Sequence, residues 1–276
     1  AALGLTVIGE FNLKNLDFIL AATAALLGLV LLFARTTGRR KGNGSEAGGN
    51  SAYRISGGRK RLEPRHAWIL LLCLAALFLY ASYTTEYLIG GRDPGVYAIQ
   101  GAYINRNGGL YIHDDYISEN YGKLENVIRV GYPGFYSALE YGVSSDPGRI
   151  IPQFLPMFPS VLAVGYSLAG LAGGLKSNAF LAVLSLLAFY AFAKGLIGRK
   201  GAFLATLLLA INPSQIWNAR ITQTEILSQF LFFSALAVFT DAYRRNDGKA
   251  AAVSGILLGI GCFNRIDSYI FGLGIY

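Results

Sequence analysis

Among the ionisable side chains within or beside apolar segments of this sequence, five are candidates for chemistry: Asp93, Arg220, Glu225, Arg265 and Asp267. Charged groups this close to lipid are rare and costly, so each is a candidate for function. The planar guanidinium fork of arginine suits a phosphate group, which makes Arg220 a candidate phosphate ligand. The acids are candidates for a polar cavity at the membrane surface.

The two acids at segment ends also have a structural explanation. Asp93 precedes Pro94, and an aspartate N-cap followed by proline is a common start of a helix. Glu225 follows Thr222 and Thr224, either of which can cap a helix that carries an acid in its first turn. The residue types alone leave both explanations open.

The arginines have alternatives as well. Arg220 lies close to Trp217, and the two can anchor a membrane interface. Arg265 and Asp267 are two positions apart, so they cannot face each other on a regular helix. Each therefore needs another partner, and either acid above is available to Arg265. A buried structural pair and a ligand contact both remain open.

Composition places the chain in a membrane. Of its 276 residues 53% are hydrophobic and 14% are charged, against about 25% charged in soluble domains. Apolar runs of about 20 residues predict membrane helices, and together they indicate an all-α, polytopic fold. The runs are 16–34, 67–88, 153–174, 177–197, 201–212, 225–243 and from Ala250 to the end. The chain starts without Met and ends inside an apolar run, so we expect a C-terminally incomplete piece of a longer protein.

Cys73 and Cys262 lie in different apolar runs, and we expect neither a disulfide nor a metal.

The positive charge is concentrated in one segment. Residues 35–65 hold nine Lys and Arg against two Glu, a net charge of 9 − 2 = +7. Between two membrane segments this predicts a cytoplasmic linker that touches anionic lipid heads, with no nucleic-acid partner. The expected domains are an extra membrane helix at 1–34, a basic linker at 35–65 and a membrane module at 66–276.

Topology decides which residues can meet. Placing the basic clusters 199–200 and 244–249 in the cytoplasm requires that one apolar run before them does not span. The best candidate is 153–174, because its prolines and glycines suit a re-entrant or interfacial segment. All five ionisable residues then lie at the outer face or near the outer leaflet.

The loop 89–152 is the longest polar stretch. Its His113-Asp114-Asp115 run predicts a solvated turn, since three adjacent loop residues rarely converge on one metal ion. Its tyrosines, Tyr97 among them, suit either an interfacial belt or platforms for sugar rings, and the belt is favoured.

Several stretches resemble a known family. They are Asp93-Pro94-Gly95-Val96-Tyr97-Ala98, Gly101-Ala102, Gly108-Gly109-Leu110-Tyr111, Pro152-Gln153-Phe154-Leu155-Pro156 up to Gly170, Asn212-Pro213 through Arg220 to Glu225, and Gly255 to Arg265. In order and spacing they resemble the PMT-like branch of the GT-C glycosyltransferases, which includes protein O-mannosyltransferases and lipid A aminoarabinose transferases. The resemblance covers roughly 67–270. It implies a GT-C-like module whose extracytoplasmic first loop carries juxtamembrane helices.

The resemblance also implies an activity. Such enzymes move a sugar from a polyprenyl-phosphate donor to an acceptor with inversion. Asp93 would be the general base and Glu225 would position the acceptor. Arg220 and Arg265 would stabilise the lipid phosphate, with Asp267 and Tyr97 also at the substrate. In metal-using relatives Glu225 would help hold a divalent ion, but the residues themselves define no metal site.

The expected setting is a multi-pass protein of the plasma membrane, among membrane lipids, with its site facing outward. The alternative is a non-catalytic subunit of a larger membrane complex, built on a glycosyltransferase-like scaffold. That alternative predicts that Arg220 and Glu225 pair with each other or with a neighbouring chain. A transporter ranks last because the two halves show no internal repeat.

Overall fold

A computed structural model of the protein describes residues 67–88, 93–128 and 134–273, with the side chains of 125–128 and 271–273 left out. The predicted membrane helix at 1–34 and the basic linker at 35–65 lie outside the described residues. The elements in chain order are α1 (Ala67–Ala81), α2 (Asp93–Asn107), β1 (Ile112–His113), α3 (Asp115–Ile128), β2 (Phe135–Ser137), β3 (Arg149–Pro152), α4 (Met157–Ala210), α5 (Pro213–Arg220), α6 (Glu225–Arg245), α7 (Gly248–Cys262) and α8 (Ser268–Leu273).

Two backbone breaks divide α4 into three helical pieces. The first break is at Ala169 and Gly170, where Gly170 has φ 58° and ψ −148°, and the second is at Gly198, with φ 74° and ψ 177°. Glycine reaches these angles without the clash that a Cβ would cause. We name the pieces α4a (157–168), α4b (171–197) and α4c (199–210).

The first break reverses the chain. A Cβ on Gly165 would collide with Ser177 and Gly173, so α4a folds back closely against the start of α4b. A helix of 12 residues is about 18 Å long, well short of a hydrocarbon core about 30 Å thick. This geometry fits the prediction that the segment 153–174 does not span.

The packing of the long helices brings the ends of several helices together. Along α4b, Asn178 contacts the segment before α6, and Ser185 Oγ donates to Gln229 of α6, so α4b and α6 run in the same direction. Helix α4c runs in the opposite direction to α4b, because Ala210 at the end of α4c packs with residues from the start of α4b. Helix α7 runs opposite to α6, since Ser254 bonds Ala235 and Asn264 bonds Thr224. The end of α4c, the start of α6 and the end of α7 therefore share one end of the bundle, which we call the Thr224 end.

The apolar surface agrees with a bilayer setting. Two helices of the described part, Met157–Ala210 and Glu225–Arg245, are long and apolar enough to cross a membrane, and α1 and α7 are shorter apolar helices. Phe78 on α1 is 78% exposed, and Trp68, Leu74, Leu204 and Leu208 are also exposed. Large apolar side chains exposed in such numbers are unfavourable in water and ordinary in lipid.

Two predicted membrane segments end earlier than the sequence suggested. Helix α1 stops at Ala81 although the apolar run continues to residue 88. Residues 82–88 are not helical, and Thr85 donates from its N–H and its hydroxyl to Arg220 O at 2.9 and 3.0 Å. Helix α7 stops at Cys262. The polar residues that follow bond to α6 and the residue before it, Asn264 to Thr224 O and Ser228 Oγ and Arg265 to Glu225.

The polar loop contains a small antiparallel sheet that the all-α prediction missed. Its strand order is β1-β3-β2, with Ile112 opposite Ile150 and Tyr136 opposite Ile151. Strands of two to four residues are too short to show an alternating pattern in sequence. Helix α2 packs on α4a, where Gly101 lies against Leu162.

The close approach at Gly165 yields a stability prediction. Gly165→Ala should lower the stability of the folded protein in detergent by roughly 1–3 kcal/mol, the usual cost of overpacking. Thermal unfolding measures the effect. Gly122→Ala on α3 is the matched control, because a Cβ there meets nothing within 4 Å. Equal stability of the two variants would contradict the tight turn between α4a and α4b.

Candidate active site

The start of α2 meets the segment between α5 and α6. Thr222 Oγ1 donates to Pro94 O at 2.8 Å, and both residues are buried. Asp93 is the neighbour of Pro94, and Glu225 begins α6 three residues after Thr222. Asp93 and Glu225 thus lie at the same end of the bundle, the Thr224 end.

Asp93 itself is exposed and lies in the first turn of α2. Its carboxylate makes no hydrogen bond or ion pair to any residue that the structure describes. An acid in the first turn gains from the helix dipole. Its position is therefore consistent with a helix-start role, while its side chain remains available to a ligand.

Tyr97 follows one turn later on α2 and connects this helix to α6. It is 7% exposed, stacks on Phe154 with ring centroids 4.4 Å apart and meets Phe158 edge-on. Burial raises the pKa of Tyr97 to about 12; the nearby Thr224 side chain lowers it somewhat and the negative charge of Glu225 adds to the rise. The phenol is therefore neutral at physiological pH.

Arg265 binds two carboxylates. Its Nη1 donates to Glu225 Oε1 at 2.6 Å and to Thr224 Oγ1 at 3.2 Å. Its Nε and Nη2 donate to the Asp267 carboxylate at 2.9 and 2.8 Å. The expectation that Arg265 and Asp267 cannot face each other was wrong, because α7 ends at Cys262 and residues 263–267 form turns. The sequence left Asp93 and Glu225 as possible partners of Arg265, and in the structure Glu225 is one of its partners.

The threonines before α6 do not cap it with their side chains. Thr224 occupies the N-cap position, but its side chain makes no capping hydrogen bond and accepts from Arg265 instead. The Thr222 hydroxyl donates to Pro94 O. Both threonines therefore tie α6 to other elements, which corrects the capping interpretation.

The Glu225–Arg265–Asp267 cluster does not fit a divalent ion. The guanidinium lies between the two carboxylates and would repel a metal cation placed there. Within the described ranges, no group of three or more His, Cys, Asp or Glu residues is arranged to hold a metal. The cluster carries a net charge of −1 (one arginine against two acids), and Glu225 Oε2 is buried without a hydrogen-bond partner in the described part of the chain.

Arg220 lies on a different side of the Thr224 end. Its Nε and Nη2 donate to Leu79 O at 3.3 and 2.7 Å, and its guanidinium lies 5.6 Å from the Tyr83 ring centroid. Nη1 has no hydrogen bond to any described residue, so donors remain for an anion. Arg220 does not pair with Glu225. Trp217 is 60% exposed, as an interfacial residue would be.

Sequence reasoning missed two asparagines at this end. Asn178 on α4b is fully buried and contacts the backbone between α5 and α6, and Asn264 contacts Thr224 O from the other side. A signal was present for Asn178, because a polar amide within the apolar run 177–197 is costly unless it bonds to something specific.

Comparison with known proteins covers the C-terminal part of the chain. Residues 152–276 match the sequence model of the family described as dolichyl-phosphate-mannose-protein mannosyltransferase. No curated protein and no solved structure matches the chain. The match includes Arg220, Glu225 and Arg265 but not α2, which carries Asp93.

Outside the matched range, the small sheet holds a cluster around Asp146. Asp146 Oδ2 accepts from Tyr111 Oη at 3.0 Å and lies 2.8 Å from His113 Nδ1, while Oδ1 accepts from Gly148 N. His113 Nε2 lies 3.2 Å from Asp115 Oδ1, and Asp114 accepts from Ile117 N at the start of α3. Desolvation opposes ionisation of Asp146, but the hydrogen bonds from Gly148, Tyr111 and His113 hold its pKa below the ordinary 3.8.

This cluster predicts a pH-dependent stability of the loop. Because the folded-state pKa of Asp146 is depressed, its stabilising effect is present above the ordinary value of 3.8 and is lost as the pH falls through the folded-state pKa. Asp146→Asn should therefore speed hydrogen exchange in β1 and β3 several-fold near neutral pH. The difference from wild type should vanish in acid.

Asp115→Asn is the control for this experiment, because the Asp115 side chain is 92% exposed. It should leave the exchange of β1 and β3 nearly unchanged. If Asp146→Asn and Asp115→Asn behaved alike at neutral pH, the Asp146 hydrogen bonds would not stabilise the sheet.

Proposed function

We propose that this protein is a membrane glycosyltransferase of the PMT-like branch of the GT-C family, which moves a sugar from a polyprenyl-phosphate donor to an acceptor hydroxyl with Asp93 as general base. The match of residues 152–276 to the mannosyltransferase family model supports this proposal. The two helices that are long and apolar enough to cross a membrane support its placement as an integral membrane protein. The direction of transfer, the inversion and the residue roles are our proposal.

The main support is the position of Asp93. It is an exposed carboxylate without a hydrogen bond or ion pair to the described residues, held beside the α5–α6 segment by the bond between Thr222 and Pro94. A general base needs a free carboxylate within reach of the acceptor proton. The other carboxylates of the Thr224 end, Glu225 and Asp267, are paired with Arg265.

The proposed reaction is a single displacement. Asp93 takes the proton of the acceptor hydroxyl as the acceptor oxygen forms its bond to the anomeric carbon. The bond from the anomeric carbon to the phosphate oxygen breaks on the opposite face, so the configuration inverts. The electron pair leaves with the polyprenyl phosphate, whose growing negative charge needs a cation.

Arg220 is the cation that we assign to the leaving phosphate. Its Nη1 donors are uncommitted within the described ranges, and the bond to Leu79 O orients the guanidinium. Arg265 is less suited, because its charge is already offset by two carboxylates. We assign to Arg265 the positioning of Glu225, and to Glu225 the binding of the acceptor.

The proposed orientation of the protein in the membrane is based on the same arrangement. We propose that the Thr224 end faces outward from the plasma membrane, with the basic ends of α4b and α6 in the cytoplasm. The rival hypothesis of a non-catalytic subunit predicted pairing of Arg220 with Glu225 or a neighbouring chain. Within this chain, Arg220 bonds Leu79 and Glu225 bonds Arg265, so the two do not pair with each other. Pairing with a neighbouring chain stays a prediction of that rival.

The first test replaces the proposed base. Asp93→Asn keeps the shape of the side chain but cannot accept the proton, so turnover should fall by about 10²–10⁴-fold. Release of polyprenyl phosphate from polyprenyl-phosphate mannose, in membranes that contain the full chain and an acceptor, measures turnover. Glu119→Gln on the exposed face of α3 is the control and should leave turnover unchanged. Wild-type turnover in Asp93→Asn would remove this residue from the mechanism.

The second test concerns the leaving phosphate. Arg220→Gln removes the positive charge, so kcat should fall by about 10²–10³-fold if this group stabilises the transition state. Arg106→Gln, an exposed arginine on α2, is the charge-matched control. A rise in donor KM with unchanged kcat would instead indicate that Arg220 binds the donor equally before and during the reaction.

A further inference from the structure

The segment between α5 and α6 has an unusual set of backbone hydrogen bonds. Residues 221–224 form bends without regular structure. Backbone N–H groups reach two of their carbonyls, with Gln223 N donating to Ile221 O and Ser228 N donating to Thr224 O. Side-chain amides donate to the carbonyls of Ile221, Gln223 and Thr224, and also to that of Asn218 in α5.

Asn178 donates to three of these four carbonyls. It is fully buried on α4b, and its Nδ2 lies 2.5 Å from Ile221 O, 2.8 Å from Gln223 O and 3.3 Å from Asn218 O. An amide has two N–H groups, so three carbonyls share them. Its Oδ1 is buried and accepts no hydrogen bond from the described residues. A buried amide that is satisfied on one side alone lowers stability, which favours a role beyond packing.

Asn264 holds the same segment from the opposite side. It lies in the turn after α7, is 3% exposed, and its Nδ2 donates to Thr224 O at 3.1 Å and to Ser228 Oγ at 2.8 Å. The two amides thus bind the segment from two different elements, helix α4b and the turn after α7.

The residue held between the Asn178 contacts is Thr222. Asn178 binds the carbonyls of Ile221 and Gln223, and Thr222 lies between them with its hydroxyl on Pro94 O. The backbone of Thr222 is therefore fixed on both sides, and through it the start of α2 is fixed. Asp93 precedes Pro94, and Glu225 follows Thr224.

From this arrangement we propose that Asn178, supported by Asn264, is a positioning residue that sets the distance between Asp93 and Glu225. The side chain touches neither the acceptor nor the donor in this role. It acts through the 221–224 backbone. The expected loss of turnover rests on the proposed function, but the claim that Asn178 sets the distance between Asp93 and Glu225 does not.

The first experiment measures geometry without activity. In the full chain, with Cys73 and Cys262 replaced by Ala, cysteines at positions 93 and 223 are joined by a short bifunctional thiol reagent. Asn178→Ala should lower the cross-linking yield several-fold. Ser185→Ala is the matched control: it removes another buried hydrogen bond between α4b and α6, to Gln229, and should leave the yield unchanged. Equal yields in Asn178→Ala and wild type would overturn the proposal, as would an equal loss in Ser185→Ala.

The second experiment measures turnover with the cysteines restored. Asn178→Ala should lower kcat by about 10- to 100-fold for a displacement near 1 Å, with a smaller change in the KM for polyprenyl-phosphate mannose. Asn178→Asp adds a chemical test. Its buried carboxyl group can donate one hydrogen bond when protonated and none when ionised. The turnover of this variant relative to wild type should rise between about pH 8 and about pH 6, while that of Asn178→Ala stays flat.

The outcomes separate this inference from the proposed function. Loss of cross-linking with no turnover by the wild-type protein would support the positioning role and reject the glycosyltransferase mechanism. Loss of turnover in Asp93→Asn with normal kcat in Asn178→Ala would support the mechanism and reject the positioning role. If the turnover of Asn178→Asp relative to wild type did not change with pH, the hydrogen bonds of Asn178 would not be the cause of its positioning effect.

Discussion

The backbone carbonyls between α5 and α6 must be satisfied at one end of a membrane bundle, where regular structure supplies few partners. Each carbonyl left without a donor away from water would cost free energy. Asn178 supplies donors from α4b and Asn264 from the turn after α7, and Thr85 donates to Arg220 O from the chain after α1. Once this segment is fixed, Thr222 can hold Pro94. The positions of Asp93 and Glu225 depend on these bonds.

Charge is arranged differently on the two sides of the Thr224 end. On one side Arg265 is shared by Glu225 and Asp267, which makes a compact cluster with excess negative charge. On the other side Arg220 is oriented by a neutral carbonyl and an aromatic ring. A cation bound to a carbonyl keeps its full charge for an anionic ligand, whereas a cation between two carboxylates does not. This difference explains why the two arginines receive different roles in our proposal.

Glycine shapes the membrane part as strongly as polar groups do. Close contact between Gly165 and Gly173 lets α4a fold back on α4b, and the positive φ of Gly170 and Gly198 permits the two breaks. Helix α4a packs against α2, where Gly101 lies against Leu162. The buried ring of Tyr97 packs against Phe154 and Phe158 at this junction. Packing of small residues thus places the helix that carries Asp93.

The sequence by itself predicted the membrane setting and the helical class and showed a resemblance to the PMT-like glycosyltransferases, because apolar run length, charge distribution and motif order are local properties. It also identified Asp93, Arg220, Glu225 and Arg265 as the residues to follow, since charge near lipid is costly wherever the chain folds. The tertiary structure alone decided the pairing of Arg265 with both Glu225 and Asp267, the use of the two threonines as ties, and the contacts of Asn178. These depend on where helices end and on which elements approach each other. Because α7 ends at Cys262, Arg265 and Asp267 form a salt bridge that a regular helix would not allow. Helix ends are set by competing hydrogen bonds from distant parts of the chain.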